Sequence, residues 1–242
     1  MTNGFPSREP RTRGTALDMK PGDDHYRAYV GPPRDYDLVA AMVFNLLTCT
    51  GLRQQHRVLD IGCGSLRVGR LLIPYLNEGN YAGIEPNRWL VEDGIANELG
   101  ADMIRIKQPV FCFGDSPEGL DASLRFDVAI AQSIFSHCGQ DLIRHWLSGV
   151  SGRLTDAGAL FATFLVDDAD FAGEGWIYPG CVKFRPDTMA RLASEHGLGF
   201  RLIDWNHPRQ QWALFHKPGY DTALLEGPIS WNRLMKQAGS VR

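Results

Sequence analysis

Short apolar runs that alternate with amphipathic helical stretches constrain this chain more than any other feature. VLDIG (58–62), YAGIEP (81–86), PVFCFGD (109–115), FDVAIAQSIF (126–135) and ALFATFLV (159–166) read as strands. The fourth opens as a nearly unbroken apolar run, as suits a strand covered on both faces. Between them lie helical patterns: 66–76, a stretch from Pro86 to about residue 99, and a run with Leu142, Ile143, Trp146, Leu147, Val150 and Leu154 on one side. Pro186 and Gly197 bracket a further helix over PDTMARLASEH, proline suiting the start and glycine the position past the end. Ahead of the first strand, Leu38, Met42, Asn45, Leu46 and Cys49 recur at helical spacing and predict one mostly apolar face, ended near Gly51. This alternation predicts βαβ units and an α/β, doubly wound, mostly parallel sheet. The last two runs, RLIDW (201–205) and QWALFH (211–216), are joined by only NHPRQ. That is too short for a crossover helix, so they predict a terminal antiparallel hairpin.

The remaining text divides around this core. Residues 1–22 carry three Pro, three Gly and no apolar periodicity, and read as a flexible N-terminal arm. Residues 23–54 form a helical cap segment, 55–218 the α/β domain, and 219–242 a tail with a short helix expected at SWNRLMKQ. A formal net charge of −3 argues against a surface built to hold phosphate backbones, so no nucleic-acid partner is expected. No apolar run approaches the roughly 20 residues of a membrane-spanning helix, and the polar N-terminus lacks a secretory stretch. Cys49, Cys63, Cys112, Cys138 and Cys181 are widely spaced without a CxxC pair, which reads as free thiols in a reducing cytoplasm and gives no zinc site.

The sharpest motif is VLDIGCGSLRVGR. A strand ends at Asp60, and Gly62 and Gly64 let the backbone turn tightly and approach a ligand. The following helix would point its N-terminus at an anionic group there. Glu85 stands 21 residues after Gly64, at the end of the second strand, where an acid can accept both hydroxyl hydrogens of a ribose. A dinucleotide fingerprint would need glycine at position 67, where this chain has Arg67, so NAD and FAD are disfavoured.

These residues resemble the class I S-adenosylmethionine-dependent methyltransferases. The resemblance is carried by Asp60-Ile61-Gly62-Cys63-Gly64-Ser65, then Glu85, Phe113-Gly114-Asp115 and the FDVAIAQSIF strand, and covers about 55–217. It implies the family's seven-stranded Rossmann-like sheet, with S-adenosyl-L-methionine as cofactor. By the resemblance, Asp60, Gly62, Cys63, Gly64 and Ser65 would hold the methionine portion, and Glu85 the ribose. Asp115 or Ser116 would bind the adenine amino group, and Gln132 would lie near the cofactor. The family often has a third glycine where this chain has Leu66. Each position also has a plainer reading: a tight βα turn for the glycine loop, a helix or turn cap for Asp115, a satisfied polar group in the sheet for Gln132.

Substrate would enter outside the carboxyl ends of the strands. The loop over 167–185 is long and carries Phe171, Trp176, Tyr178 and Phe184 among glycines, which reads either as a lid over a small-molecule pocket or as a plug for the end of the sheet. Methyl transfer to a hydroxyl needs a base, and His137, just past the fourth strand, is the first candidate for catalysis and for substrate contact. It reads equally well as a cap of the next helix. Asp167 is the second candidate, as base or as anchor for an amine, with Asp168 beside it. Trp176, Tyr178, Tyr26 and Tyr29 are candidate substrate contacts, although Tyr26, Arg27 and Tyr29 read as well as a passive brace. The family's metal sites use an acid at the end of strand four, where this chain has Ala131-Gln132-Ser133, so no metal is expected. The leading expectation is a cytoplasmic methyltransferase acting on an O- or N-nucleophile of a small metabolite. The alternatives are a non-catalytic binding module or partner subunit with this fold, and an RNA or protein methyltransferase.

Overall fold

The computed structural model describes residues 16–226. Most of the expected arm and the expected helix at 230–237 lie outside the described residues. Seven strands form one sheet: β1 (Val58–Ile61), β2 (Tyr81–Ile84), β3 (Val110–Cys112), β4 (Phe126–Ala131), β5 (Leu154–Val166), β7 (Gly199–Ile203) and β8 (Gln211–His216), in the order β3-β2-β1-β4-β5-β8-β7. Pairing is parallel from β3 through β5, and β8 runs antiparallel to both β5 and β7. The terminal hairpin therefore folds back so that β8 lies inside β7. An eighth strand, β6 (Lys183–Phe184), pairs with the outer tip of β5 and has no counterpart in the sequence expectations.

Side chains alternate across the central strands, as the two-residue period requires. Val58 joins the core on one face with Val128, Ile130 and Phe161, and Leu59 and Ile61 join the other with Ala129, Leu160 and Ala162. Helices α2 (Tyr36–Cys49), α3 (Gly69–Tyr75) and α4 (Arg88–Gly94) cover the first face. The second face is covered by α6 (Gln140–Ser151) and α7 (Pro186–Glu195). A short α1 (Tyr26–Tyr29) precedes these, and α5 (Ala101–Lys107) follows α4 through a π-helical turn at Ile95–Leu99.

Helix α2 differs from the expected orientation. Leu38, Asn45 and Cys49 are exposed, and the buried stripe is Val39, Val43, Leu46 and Leu47. The helix is apolar nearly all round, so its pattern alone does not select a stripe. The selection comes from Leu72, Trp205 and Trp212, whose indole or isobutyl groups share its core cluster. The helix expected over 66–76 begins only at Gly69, because Leu66 adopts φ +61 in the turn before it. Helix α5 was not anticipated. None of its residues is buried, so no apolar stripe marks it.

Candidate functional site

The carboxyl ends of β1, β2, β3 and β4 open into one cavity of about 950 Å³. The turn after β1 supplies its floor. Gly62 and Gly64 take φ +63 and +54, a region that costs other residues a Cβ–carbonyl clash, and a Cβ on Gly62 would lie 2.2 Å from Ile134 Cδ1. Asp60, Cys63 and Arg67 line the same wall. Asp60 is buried, its carboxyl accepting the Tyr81 hydroxyl at 2.7 Å, and burial lifts its pKa to about 7. Burial also pushes the Cys63 thiol well up, so it stays protonated.

At the tip of β2, Glu85 Oε2 accepts the Gly64 N–H at 3.1 Å, while Oε1 accepts the backbone N–H and side-chain amide of Asn87 at 2.8 and 3.0 Å. Glu85 is thus tied to the glycine loop and held at the cavity wall. Its pKa is raised by burial, which those hydrogen bonds partly offset. Phe113, Gly114 and Asp115 line the cavity beyond it, Asp115 being exposed. Gln132 lines it at the tip of β4, where Ser133 takes φ +59 and donates its backbone N–H to Thr163 Oγ1 at 2.7 Å.

His137 also faces the cavity. Its Nδ1 lies 2.6 Å from the carbonyl oxygen of Gly180, which can only accept, so Nδ1 carries the hydrogen and Nε2 keeps its lone pair. Burial, the largest influence, and the Arg209 charge lower its pKa, so the ring is neutral at pH 7. Trp176 and Tyr178 pack on the imidazole with ring centroids 5.5 and 5.0 Å away, and the Tyr178 hydroxyl donates to the Tyr29 carbonyl. Tyr29 lines the cavity and packs against Trp89 at 5.2 Å. The 167–185 loop divides its aromatics between both readings of it. Trp176 and Tyr178 line the cavity, whereas Phe184 is buried in the core and Phe171 packs against it.

Four expected site residues lie outside the cavity lining. Ser65 is fully buried beneath the loop, its hydroxyl and carbonyl bonded to the Tyr36 hydroxyl. Ser116 caps a turn by accepting the Glu118 N–H at 3.2 Å. Asp167 is half-buried and paired with Lys183 at 2.9 Å. The Tyr26 hydroxyl bonds to Glu98, which Arg27 and Arg70 also engage, making this the anchor of the cap and not a ligand contact. Of the N-terminal tract, Tyr29 alone among Tyr26, Arg27 and Tyr29 reaches the cavity.

Arg67, Ser133, His207, Arg209 and Gln210 line the cavity and were not foreseen as site residues. The last three belong to the loop between β7 and β8, whose length gave the hairpin but no hint that it reaches the same opening. Among the described residues, no cluster of three or more His, Cys, Asp or Glu is placed to hold a metal ion, and no helix is long and apolar enough to cross a membrane.

No family model matches the chain. Solved structures of similar fold include the magnesium protoporphyrin IX methyltransferase ChlM of Synechocystis PCC 6803 with bound S-adenosylmethionine, at TM-score 0.55 and 12% identity, over 76% of this chain and 81% of that one. The glycopeptide N-methyltransferase MtfA superposes at 0.56 and 12%, over 74% and 90%. An S-adenosylmethionine-dependent methyltransferase from Clostridium acetobutylicum ATCC 824 does so at 0.54 and 10%, over 76% and 92%. Together with the strand order and the hairpin that places β8 inside β7, these similarities give the chain the class I S-adenosylmethionine-dependent methyltransferase fold.

Proposed function

We propose that the protein is a cytoplasmic S-adenosylmethionine-dependent methyltransferase acting on an O- or N-nucleophile of a small molecule. The observation that carries this reading is the meeting, in one cavity, of the glycine loop, Glu85 and a neutral His137 with a free Nε2. The residues present fit the cofactor: a carboxylate stands at the tip of β2, a turn of left-handed glycines at the tip of β1, and the volume of about 950 Å³ leaves room for a second molecule. Asp60, Gly62, Cys63 and Gly64 would face the methionine portion, Glu85 the ribose, Asp115 the adenine, and Gln132 the space beside it. When bound, the cofactor supplies an activated methyl group on a sulfonium.

The protein's own part is alignment and proton removal. The walls formed by Tyr29, Trp176 and Tyr178 would hold the acceptor and exclude water, so that its lone pair meets the methyl carbon in line. His137 Nε2 would take the acceptor's proton, a task for which its tautomer and lowered pKa suit it near neutral pH. Asp167 is poorly suited to that role, lying outside the cavity lining and engaged by Lys183. Five unpaired cysteines agree with a reducing compartment.

The test is formation of S-adenosylhomocysteine from S-adenosylmethionine against a panel of small phenols, hydroxy acids and amines. The expected result is turnover that falls roughly 10²- to 10⁴-fold in His137→Gln, the usual worth of a general base. Tight cofactor binding without turnover on any acceptor would favour the non-catalytic module.

A further inference from the structure

Beside the cofactor-facing half of the cavity lies a cluster rich in donors and poor in acceptors. Arg67 is 8% exposed and lines the cavity, and it makes no ion pair with any described residue. Among the described residues, the one hydrogen bond of its guanidinium is donated to Gln132 Oε1. The acids whose charge reaches it form no ion pair with it: the Asp60 carboxyl accepts the Tyr81 hydroxyl, and Asp60 and Asp35 act on Arg67 only through the Coulombic field. Because an arginine can only donate, its bond fixes the Gln132 amide with Oε1 toward Arg67 and Nε2 toward the loop between β7 and β8.

There, Gln132 Nε2 lies 3.2 Å from His207 Nε2. The His207 Nδ1 accepts the backbone N–H groups of Arg209 and Gln210 at 3.2 and 2.9 Å, so the remaining hydrogen of the neutral ring is on Nε2. Two N–H donors therefore face each other. Burial, with help from Arg67 and Arg209, holds the His207 pKa down at about 4, so the ring does not add a charge of its own. The Arg209 side chain lines the same space and makes no hydrogen bond or ion pair with the described residues. Of the acceptors within the cluster, the Ser133 hydroxyl is already engaged by both Gln132 and Gln210, and the buried Gln210 Oε1 has no partner among the described residues.

A buried guanidinium without an ion-pair partner is costly, and converging N–H donors with too few acceptors add to that cost. Resting on the methyltransferase reading above, we propose that the acceptor carries an anionic group, a carboxylate or a phosphate, held at the β4 end of the cavity by Arg67 and Arg209 with Gln132 and His207. The cofactor brings one carboxylate at most, too little for two guanidinium groups, and the titration below tests whether Arg67 takes it. S-adenosylmethionine brings a sulfonium, an ammonium and one carboxylate, a net positive charge, and so adds to the excess. The oxygens of a carboxylate or phosphate together can accept from the guanidinium groups, from Gln132 Nε2 and from His207 Nε2–H. The unpartnered Gln210 Oε1 is then available to a hydroxyl or amine hydrogen of the same molecule.

The test is calorimetric titration of the full chain, with and without saturating S-adenosylhomocysteine, using 4-hydroxybenzoate, phenyl phosphate and the neutral 4-hydroxybenzamide. At least one anion should bind at least about tenfold more tightly than the amide, the lower end expected for a charge-assisted contact. That preference should shrink to within about threefold in Arg67→Met and in Arg209→Gln, the latter at an exposed position that leaves the fold intact. The S-adenosylhomocysteine affinity of Arg209→Gln should stay within about threefold of the parent. Equal binding of anions and amide, or a preference that survives both substitutions, overturns the proposal. So does an Arg67→Met protein that loses S-adenosylhomocysteine but keeps methylthioadenosine, which lacks the carboxylate, because the arginine then serves the cofactor. A parent protein that binds no S-adenosylhomocysteine refutes the methyltransferase reading instead, and the titration without it still decides for or against the anion site.

Discussion

Replacing Asp60 by asparagine should stabilise the protein at pH 8 far more than at pH 5. The carboxyl is buried at the end of β1, and burial is the largest influence on its pKa. The Tyr81 hydroxyl and the Arg67 charge pull that value down and Glu85 pushes it up, leaving it at about 7. An acid whose folded value lies above its unfolded one, near 3.9, contributes stability that is complete below the unfolded value and is lost as pH rises through about 7. A separation of about 3 pH units corresponds to about 4 kcal/mol in all, of which about 2–3 kcal/mol disappears between pH 5 and pH 8. Asparagine keeps an oxygen for the Tyr81 hydroxyl and cannot ionise. Urea unfolding of both proteins at the two pH values should therefore show the variant gaining about 2–3 kcal/mol on the parent as pH rises. Parallel curves, agreeing within about 0.5 kcal/mol at both values, would refute the reasoning that burial governs this carboxyl.

Three further outcomes follow from the same geometry. In a proton–carbon correlation spectrum, the His137 ring should titrate below pH 6.5, and Arg209→Gln should move its midpoint up by removing a nearby positive charge. Arg27→Ala removes a partner 2.6 Å from the nearly buried Glu98, leaving it Arg70 at 3.3 Å and the Tyr26 hydroxyl at 2.9 Å, and should cost about 2–3 kcal/mol in urea unfolding, with faster amide exchange across 26–29. Leu66→Gly relieves about 1–2 kcal/mol of left-handed strain but deletes a fully buried side chain worth about 2–5 kcal/mol, so thermal unfolding should show a net loss of about 1–3 kcal/mol.

The parts of this molecule legible in its sequence are those written locally. β1, β2 and β4 declare themselves as short apolar runs because both faces of the sheet are covered. The glycine loop and Glu85 are readable because a strand, a turn and the next strand tip fall at fixed spacing. The stripe of α2 was not readable, since Leu38 and Val39 are equally apolar and only the packing against the sheet separates them. Helix α5 buries nothing and so writes no period. The cluster of Arg67, Gln132, His207 and Arg209 was hidden for a different reason. Its members lie up to 142 positions apart and meet only because β1, β4 and the terminal hairpin end at one opening. Tyr26, Ser65, Ser116 and Asp167 show the converse, chemically suitable side chains near the right place whose polar atoms are occupied elsewhere.

The most direct measurement is calorimetric titration of the full chain with S-adenosylmethionine and, separately, with NADH. Micromolar binding of the first and none of the second is expected. In Glu85→Ala, which removes a charge-assisted acceptor at the cavity wall, the affinity should fall at least about tenfold. Binding of NADH, or of neither compound, would contradict the assignment of this cavity to S-adenosylmethionine.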